Sequence, residues 1–298
     1  MIDLRSIRYL RVGTPDLDEA SAFATNVLGL EAAGVERGMA YFRSDDRDHT
    51  ICYVEGPPNH HVTAFEVSES ADLQAIGAEI ERSGRPVRQG TPGERQQRRV
   101  EDFITFDDPS GNTIEIVWRP RQGTRRYFPA RDAGITGFSH IGLKSTDLVR
   151  DERFWTRVLN ARVSDWIGSA PFLRINEVHH SVVLFPSAAG GIQHINHQVE
   201  SLDDVMRSYY HLRDQRGIRI VFGPGRHLLS GAVFVYFEAL DGMVYEYSAG
   251  VKHITDEAAY IPRQYPVSNE SLCMWGSKPN FEASSGGFDL QATASASA

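Results

Sequence analysis

Cysteine is nearly absent, with only Cys52 and Cys273 among 298 residues. The pair has no metal-ligand spacing and allows at most one disulfide, so a reduced cytoplasmic protein is the simpler reading. Long apolar runs are missing too. No stretch approaches membrane-spanning length, and Met1-Ile2-Asp3-Leu4-Arg5 holds no apolar signal core. Positive charge is not in surplus: 31 Lys and Arg against 39 Asp and Glu leave a formal net charge of -8. That balance argues against nucleic acid or an anionic membrane as the main ligand.

The remaining material is ordinary for a globular chain, 41% hydrophobic and 23% charged, and long enough for two domains. Its main feature is an internal repeat. Tyr9-Leu10-Arg11-Val12-Gly13-Thr14-Pro15-Asp16-Leu17 lines up with His140-Ile141-Gly142-Leu143-Lys144-Ser145-Thr146-Asp147-Leu148. At the same offset Phe23 matches Phe154, and Gly111-Asn112-Thr113-Ile114-Glu115 matches Gly242-Met243-Val244-Tyr245-Glu246. Within each half a strand-helix-strands pattern occurs twice. Asp16 and Asp147 are N-cap candidates, and Gly29, Gly84 and Gly217 are stops. The expected fold is α+β: two domains, each a pair of βαβββ modules forming a curled mixed β-sheet barrel with helices outside. The expected boundaries are 1–120 for a domain without metal, 121–136 for an Arg/Gly/Pro-rich linker and 137–250 for a catalytic domain. Residues 251–280 are expected to form a tail or lid whose aromatics cover the pocket, and the Ala/Ser/Gly-rich residues 281–298 to be disordered.

Histidines concentrate in two short runs, Val178-His179-His180-Ser181-Val182-Val183-Leu184-Phe185 and Gly191-Ile192-Gln193-His194-Ile195-Asn196-His197-Gln198-Val199. Read as strands, the first puts His180, Val182 and Leu184 on one face. His179, Ser181 and Val183 take the other. In the second, His194 and Asn196 face away from His197. By repeat position the second half offers His140, His194 and Glu246 where the first has Tyr9, Val62 (or His61 after a one-residue slip) and Glu115. Two histidines and a carboxylate on three strands match a facial triad, which leaves metal positions open and typically holds Fe(II). Parity puts Glu246 with Val244 and Ser248, away from Tyr245 and Tyr247. The first half lacks the set, so one metal per chain is expected.

The second half resembles the type I extradiol catechol dioxygenases of the vicinal-oxygen-chelate superfamily. The likeness is carried by Phe138-Ser139-His140, by the two histidine-bearing runs, by Gly225-Arg226-His227 and by Val235-Tyr236-Phe237 with Glu246. It implies that His140, His194 and Glu246 are iron ligands and that His180 is the acid-base histidine. It also implies that His227 lines the dioxygen and substrate side and that Tyr236 hydrogen-bonds a substrate oxygen. The implied activity is an Fe(II)-dependent oxidoreductase, with Mn(II) a second candidate metal, that inserts both atoms of O2 into a catechol during aromatic-compound degradation. The partner is then a catecholic small molecule, and the chain a homo-oligomer. One departure is Ser230, where many relatives carry an acid three residues after the Gly-Arg-His histidine. Arg226 and Arg263 are candidates for a substrate carboxylate. Two other classes share the fold: metal-dependent lyases or isomerases of the glyoxalase type, and metal-free small-molecule binding proteins.

Overall fold

The computed structural model describes residues 2–58, 60–68, 72–239 and 241–280. The expected disorder of 281–298, the helix start at Ala71 and the turn residues Asn59 and Leu240 lie outside them. The first half contains β1 (Leu4–Thr14), α1 (Leu17–Ala22), β2 (Glu31–Glu36), β3 (Met39–Arg43) and β4 (Ile51–Glu55). It continues with β5 (His61–Val67), α2 (Leu73–Arg82), β6 (Arg88–Gln89), α3 (Pro92–Arg98), β7 (Val100–Asp107) and β8 (Thr113–Pro120). The second half repeats this with β9 (Ile135–Ser145), α4 (Leu148–Arg157), β10 (Arg162–Ile167), β11 (Ala170–Arg174) and β12 (Val182–Pro186). Then come β13 (Gly191–Val199), α5 (Leu202–Arg213), β14 (Arg219–Arg226), β15 (Val233–Ala239) and β16 (Met243–Ala249), with β17 (Arg263–Tyr265) and α6 (Asn269–Leu272) in the tail.

Local chemistry sets the helix ends. Asp16 accepts from the Glu19 amide at 2.8 Å, and Asp147 from the Arg150 amide at 3.0 Å, each satisfying an amide left free by the first turn. The first helix is regular only to Ala22 and continues as a π-helical stretch, Phe23–Leu28, which ends at Gly29 with φ 81°. That left-handed turn is open to glycine at little cost.

The strands form two sheets. The first runs β2-β3-β4-β1-β5-β8-β7-β6 and the second β14-β15-β16-β13-β9-β12-β11-β10-β17. Both are curled, but neither order returns on itself, so the expected barrels are open sheets. The tail strand β17 pairs in parallel with β10 and covers that edge. Sequence reading missed the first strand after the leading helix of each of the four modules (β2, β6, β10 and β14). Their polar content hides the alternation, and β6 is only two residues long.

The largest apolar cluster lies on the outer faces of the sheets, where the helices pack and the two halves meet. Trp155 packs edge-on against Phe65, and Tyr53 hydrogen-bonds Tyr245 hydroxyl to hydroxyl at 2.8 Å. The segment between β8 and β9 docks on the first half: the Phe128 amide donates to Glu31 at 2.9 Å and Arg131 to the Val27 carbonyl at 2.9 Å. The inner face of the second sheet carries a separate cluster that includes Phe222, Phe234, Tyr236, Val244 and Leu272.

Candidate metal centre and active-site pocket

β16, β13 and β9 are consecutive in the second sheet. Asn196 pairs with both His140 and Glu246, so His194, two residues earlier, projects from the same face into the curl. His140 Nε2 and His194 Nε2 are 2.9 Å apart. Glu246 Oε2 is 3.0 Å from His140 Nε2 and 3.5 Å from His194 Nε2. All three residues are buried, and their ligand atoms lie within 4.8 Å of one another. Donors on one face of an octahedron, each about 2.1 Å from a common ion, stand roughly 3 Å apart. Both Glu246 oxygens are sealed from solvent with no directed hydrogen-bond partner among the described residues. A buried carboxylate left in that state is costly unless a cation fills the gap, so the donor set fits a divalent metal.

The His194 imidazole is prepared as a neutral donor. Burial, reinforced by His140, pushes His194 down to about 3. Burial alone would raise the Glu246 carboxyl, but the facing imidazoles, His140 foremost, hold it well below the usual carboxylate range. His194 Nδ1 hydrogen-bonds Gln193 Oε1, which can only accept, so the proton sits on Nδ1 and Nε2 turns its lone pair to the centre. A glycine makes room for this ring: a Cβ on Gly142 would stand 2.4 Å from His194 Nδ1.

One pocket lies over the three residues. It is lined by His180, His227 and Tyr236 and walled by Ile167, Phe172, Val183, Phe185, Phe222 and Leu272. The His180 ring lies 4.2 Å from that of His140, centroid to centroid. Burial, then the neighbouring imidazoles led by His140, holds its pKa well below the ordinary histidine value. His227 hydrogen-bonds the Leu272 carbonyl through Nδ1 at 2.9 Å, which leaves Nε2 to accept from the Tyr236 hydroxyl at 3.2 Å. Burial and Glu246 hold the Tyr236 phenol well above its usual pKa, so it is a neutral donor.

Two face assignments fare differently. Val244 lies in the inner cluster and Tyr245 and Tyr247 in the outer one, as parity requires for Glu246. His197 is buried against Phe138, apart from the metal donors. For His180 the face-mates are wrong. Val182 and Leu184 belong to the outer core, and Val183 and Phe185 share the pocket with His180. Residues 178–181 precede β12 and bend, so alternation cannot be carried back through them.

The tail contributes Leu272 to the pocket wall, while Trp275 is half-exposed and stacks under Arg226. Arg226 also donates to the Gly231 carbonyl at 2.6 Å, and Arg263 lines a separate surface cleft with Lys252 and Tyr260. Ser230 is buried within its loop, accepting from the Ala232 amide at 3.4 Å.

The first sheet carries the same positions without the two histidines. Ala64 pairs with Tyr9 and Glu115 as Asn196 pairs with His140 and Glu246, so Val62, not His61, is the counterpart of His194. Tyr9 donates to Glu115 Oε2 at 2.7 Å, and Arg98 Nη2 lies 2.7 Å from Oε1. His49, at the repeat position of His180, stacks on Tyr9 with centroids 4.9 Å apart. Sequence reading missed Arg98 together with α3, although Thr91 and Glu94 around Pro92 spell a capping box. It also missed Asp165 and Gln193, which lie among polar strand residues with nothing local to mark them.

The chain is 27% identical over 297 residues to an iron-dependent extradiol dioxygenase of Rhodococcus jostii strain RHA1, covering 92% of this chain and 97% of that one. Among solved structures, BphC, a halotolerant catechol dioxygenase, superposes with a TM-score of 0.82 at 26% identity, over 93% of this chain and 95% of that one. A Mn(II)-bound glyoxalase from Novosphingobium aromaticivorans superposes with a TM-score of 0.82 at 27% identity, over 94% and 93%. The family model described as "Glyoxalase/Bleomycin resistance protein/Dioxygenase superfamily" matches residues 6–116 and 137–247, one copy in each half. The chain therefore belongs to the glyoxalase, bleomycin resistance protein and dioxygenase superfamily.

Proposed function

We propose that this chain is an Fe(II)-dependent extradiol dioxygenase, with His140, His194 and Glu246 as the metal ligands in residues 137–250 and residues 1–120 as a metal-free partner domain. The observation that carries the reading is the convergence of these three donors beneath a pocket that His180, His227 and Tyr236 also line. When bound, the metal supplies Lewis acidity toward two vicinal ring oxygens and a path for electrons between ring and dioxygen. The protein's own groups do the rest. His180 takes a proton from a catechol hydroxyl and returns it later, since a neutral imidazole both accepts and donates. The Tyr236 hydroxyl has a single proton, which it gives to His227 Nε2 in the free pocket and turns to a substrate oxygen when the catechol binds. The apolar walls exclude water from the reacting ring.

Among the described residues the pocket lining contains no Lys or Arg, and Arg226 and Arg263 are engaged elsewhere. This supports an uncharged catechol with an apolar substituent as substrate. The solved Mn(II) glyoxalase favours a second reading, a metal-dependent lyase or isomerase of the glyoxalase type. The test loads the protein anaerobically with Fe(II), adds a substrate and then air. The substrates are catechol, a phenyl-substituted catechol, a carboxylated catechol, and in parallel a hemithioacetal with Mn(II). Yellow ring-opened product from the two uncharged catechols is expected. Preferred turnover of the carboxylated one would refute the uncharged-substrate reading, and turnover of the hemithioacetal alone would refute the dioxygenase reading. His140→Ala, His194→Ala and Glu246→Ala are each expected to lose bound iron by elemental analysis, and His197→Ala to keep it.

A further inference from the structure

Behind His180 lies a chain of hydrogen bonds that leads away from the pocket. His180 Nδ1 is 3.0 Å from His179 Nδ1, and His179 Nε2 is 2.9 Å from Asp165 Oδ2. Both imidazoles and Asp165 are buried. Asp165 is itself fixed: the Tyr260 hydroxyl donates to Oδ2 at 3.1 Å and the Arg263 amide to Oδ1 at 2.8 Å. The His179 amide is anchored to the Lys252 carbonyl at 2.9 Å.

We infer that Asp165 and His179 are positioning residues that fix the tautomer of His180. The inference rests on the dioxygenase reading only for its catalytic consequence. Each link follows from the one before. An ionised carboxylate only accepts, so the proton between Asp165 and His179 is on His179 Nε2. Neutral His179 then has its lone pair on Nδ1. The proton between the two Nδ1 atoms therefore belongs to His180. Neutral His180, protonated on Nδ1, presents the Nε2 lone pair to the pocket, the form that can receive a proton from a catechol hydroxyl. Reversing the chain would put N–H on that edge, and the first transfer would have no acceptor. A buried carboxylate sets the tautomer of a catalytic imidazole in hydrolases by the same logic.

Asp165→Asn tests this, because it keeps shape and removes charge. If the Asn oxygen accepts from the Arg263 amide, its NH2 group faces His179 Nε2 and donates to it. His179 then carries its proton on Nδ1, and His180 carries its own on Nε2. The measurement is long-range 1H–15N correlation NMR of the imidazoles in the full chain, without substrate and with diamagnetic Zn(II) in place of iron. The expected result is Nδ1–H at His180 in the unaltered protein and Nε2–H in Asp165→Asn. Iron-loaded Asp165→Asn should keep its iron and its catechol KM, with kcat lower by on the order of 10²-fold or more. Asp165→Glu should restore the Nδ1–H form and part of the rate. Nε2–H at His180 in the unaltered protein overturns the inference without any variant. So does an Asp165→Asn protein that loses turnover with the His180 tautomer unchanged. The spectrum is recorded without substrate, so its outcome is separate from whether the chain cleaves catechols.

Discussion

Arg98 Nη2 stands 2.7 Å from Glu115 Oε1, with both side chains buried. Glu115 holds the repeat position of Glu246, so the first sheet keeps the carboxylate and neutralises it with a guanidinium. Removing one partner of a buried pair strands the other charge. Arg98→Met is expected to lower stability by about 3–5 kcal/mol, and Glu115→Gln added to it to recover part of that loss. Urea unfolding of the single and double variants checks this. Equal loss in both would mean that the pair merely fills space.

Acid sensitivity follows from two histidines outside the metal centre. Burial, with Arg47 adding, pushes His197 down to about 3, and neither of its ring nitrogens has a hydrogen-bond partner among the described residues. Burial pushes His49 down to about 4 against the opposing pull of Asp48. Between these values and the ordinary 6.5, the unfolded chain binds protons that the folded chain does not. Stability is therefore full above the unfolded value and falls with pH through that window, by up to about 1.4 kcal/mol per pH unit for each histidine. His197→Phe should flatten the dependence. Unfolding free energies measured from pH 7 to pH 4 that run parallel in the variant and the parent would contradict the assignment.

The repeat, the four modules and the three donors that meet beneath the pocket were all legible in the sequence, because copying leaves matched positions that parity can sort. Glu246 is the clearest case: its strand is regular, and its neighbours divide between the inner and outer clusters. His180 was placed by resemblance and the wrong face-mates by parity, because residues 178–181 bend before β12 begins. Closure of the sheets was not legible, since strand order depends on pairings far apart in sequence. Arg98 and Asp165 escaped for one physical reason. Their roles come from partners far along the chain, Glu115 on β8 and His179 before β12, and no local pattern encodes such a pairing.

A substitution at His180 can separate proton transfer from metal binding. His180→Gln keeps a hydrogen-bonding amide of similar reach that carries no proton at neutral pH. Iron content and catechol binding should stay near the parent's, and turnover should fall by roughly 10²–10⁴-fold. Single-turnover stopped-flow, mixing the anaerobic catechol complex with oxygenated buffer, reads the step directly. Ring cleavage at the parent's rate would assign the proton transfer to another group, with His227 the nearest candidate in the pocket.

Ring cleavage by dioxygen at the centre formed by His140, His194 and Glu246 leaves an isotopic signature. The most direct measurement is mass spectrometry of the product formed by the Fe(II)-loaded protein from an uncharged catechol under 18O2. The expected result is a ring-opened product carrying both labelled oxygen atoms, and no product when Glu246→Ala replaces the parent under the same loading. A product with no label, or labelled product formed equally by Glu246→Ala, would contradict it.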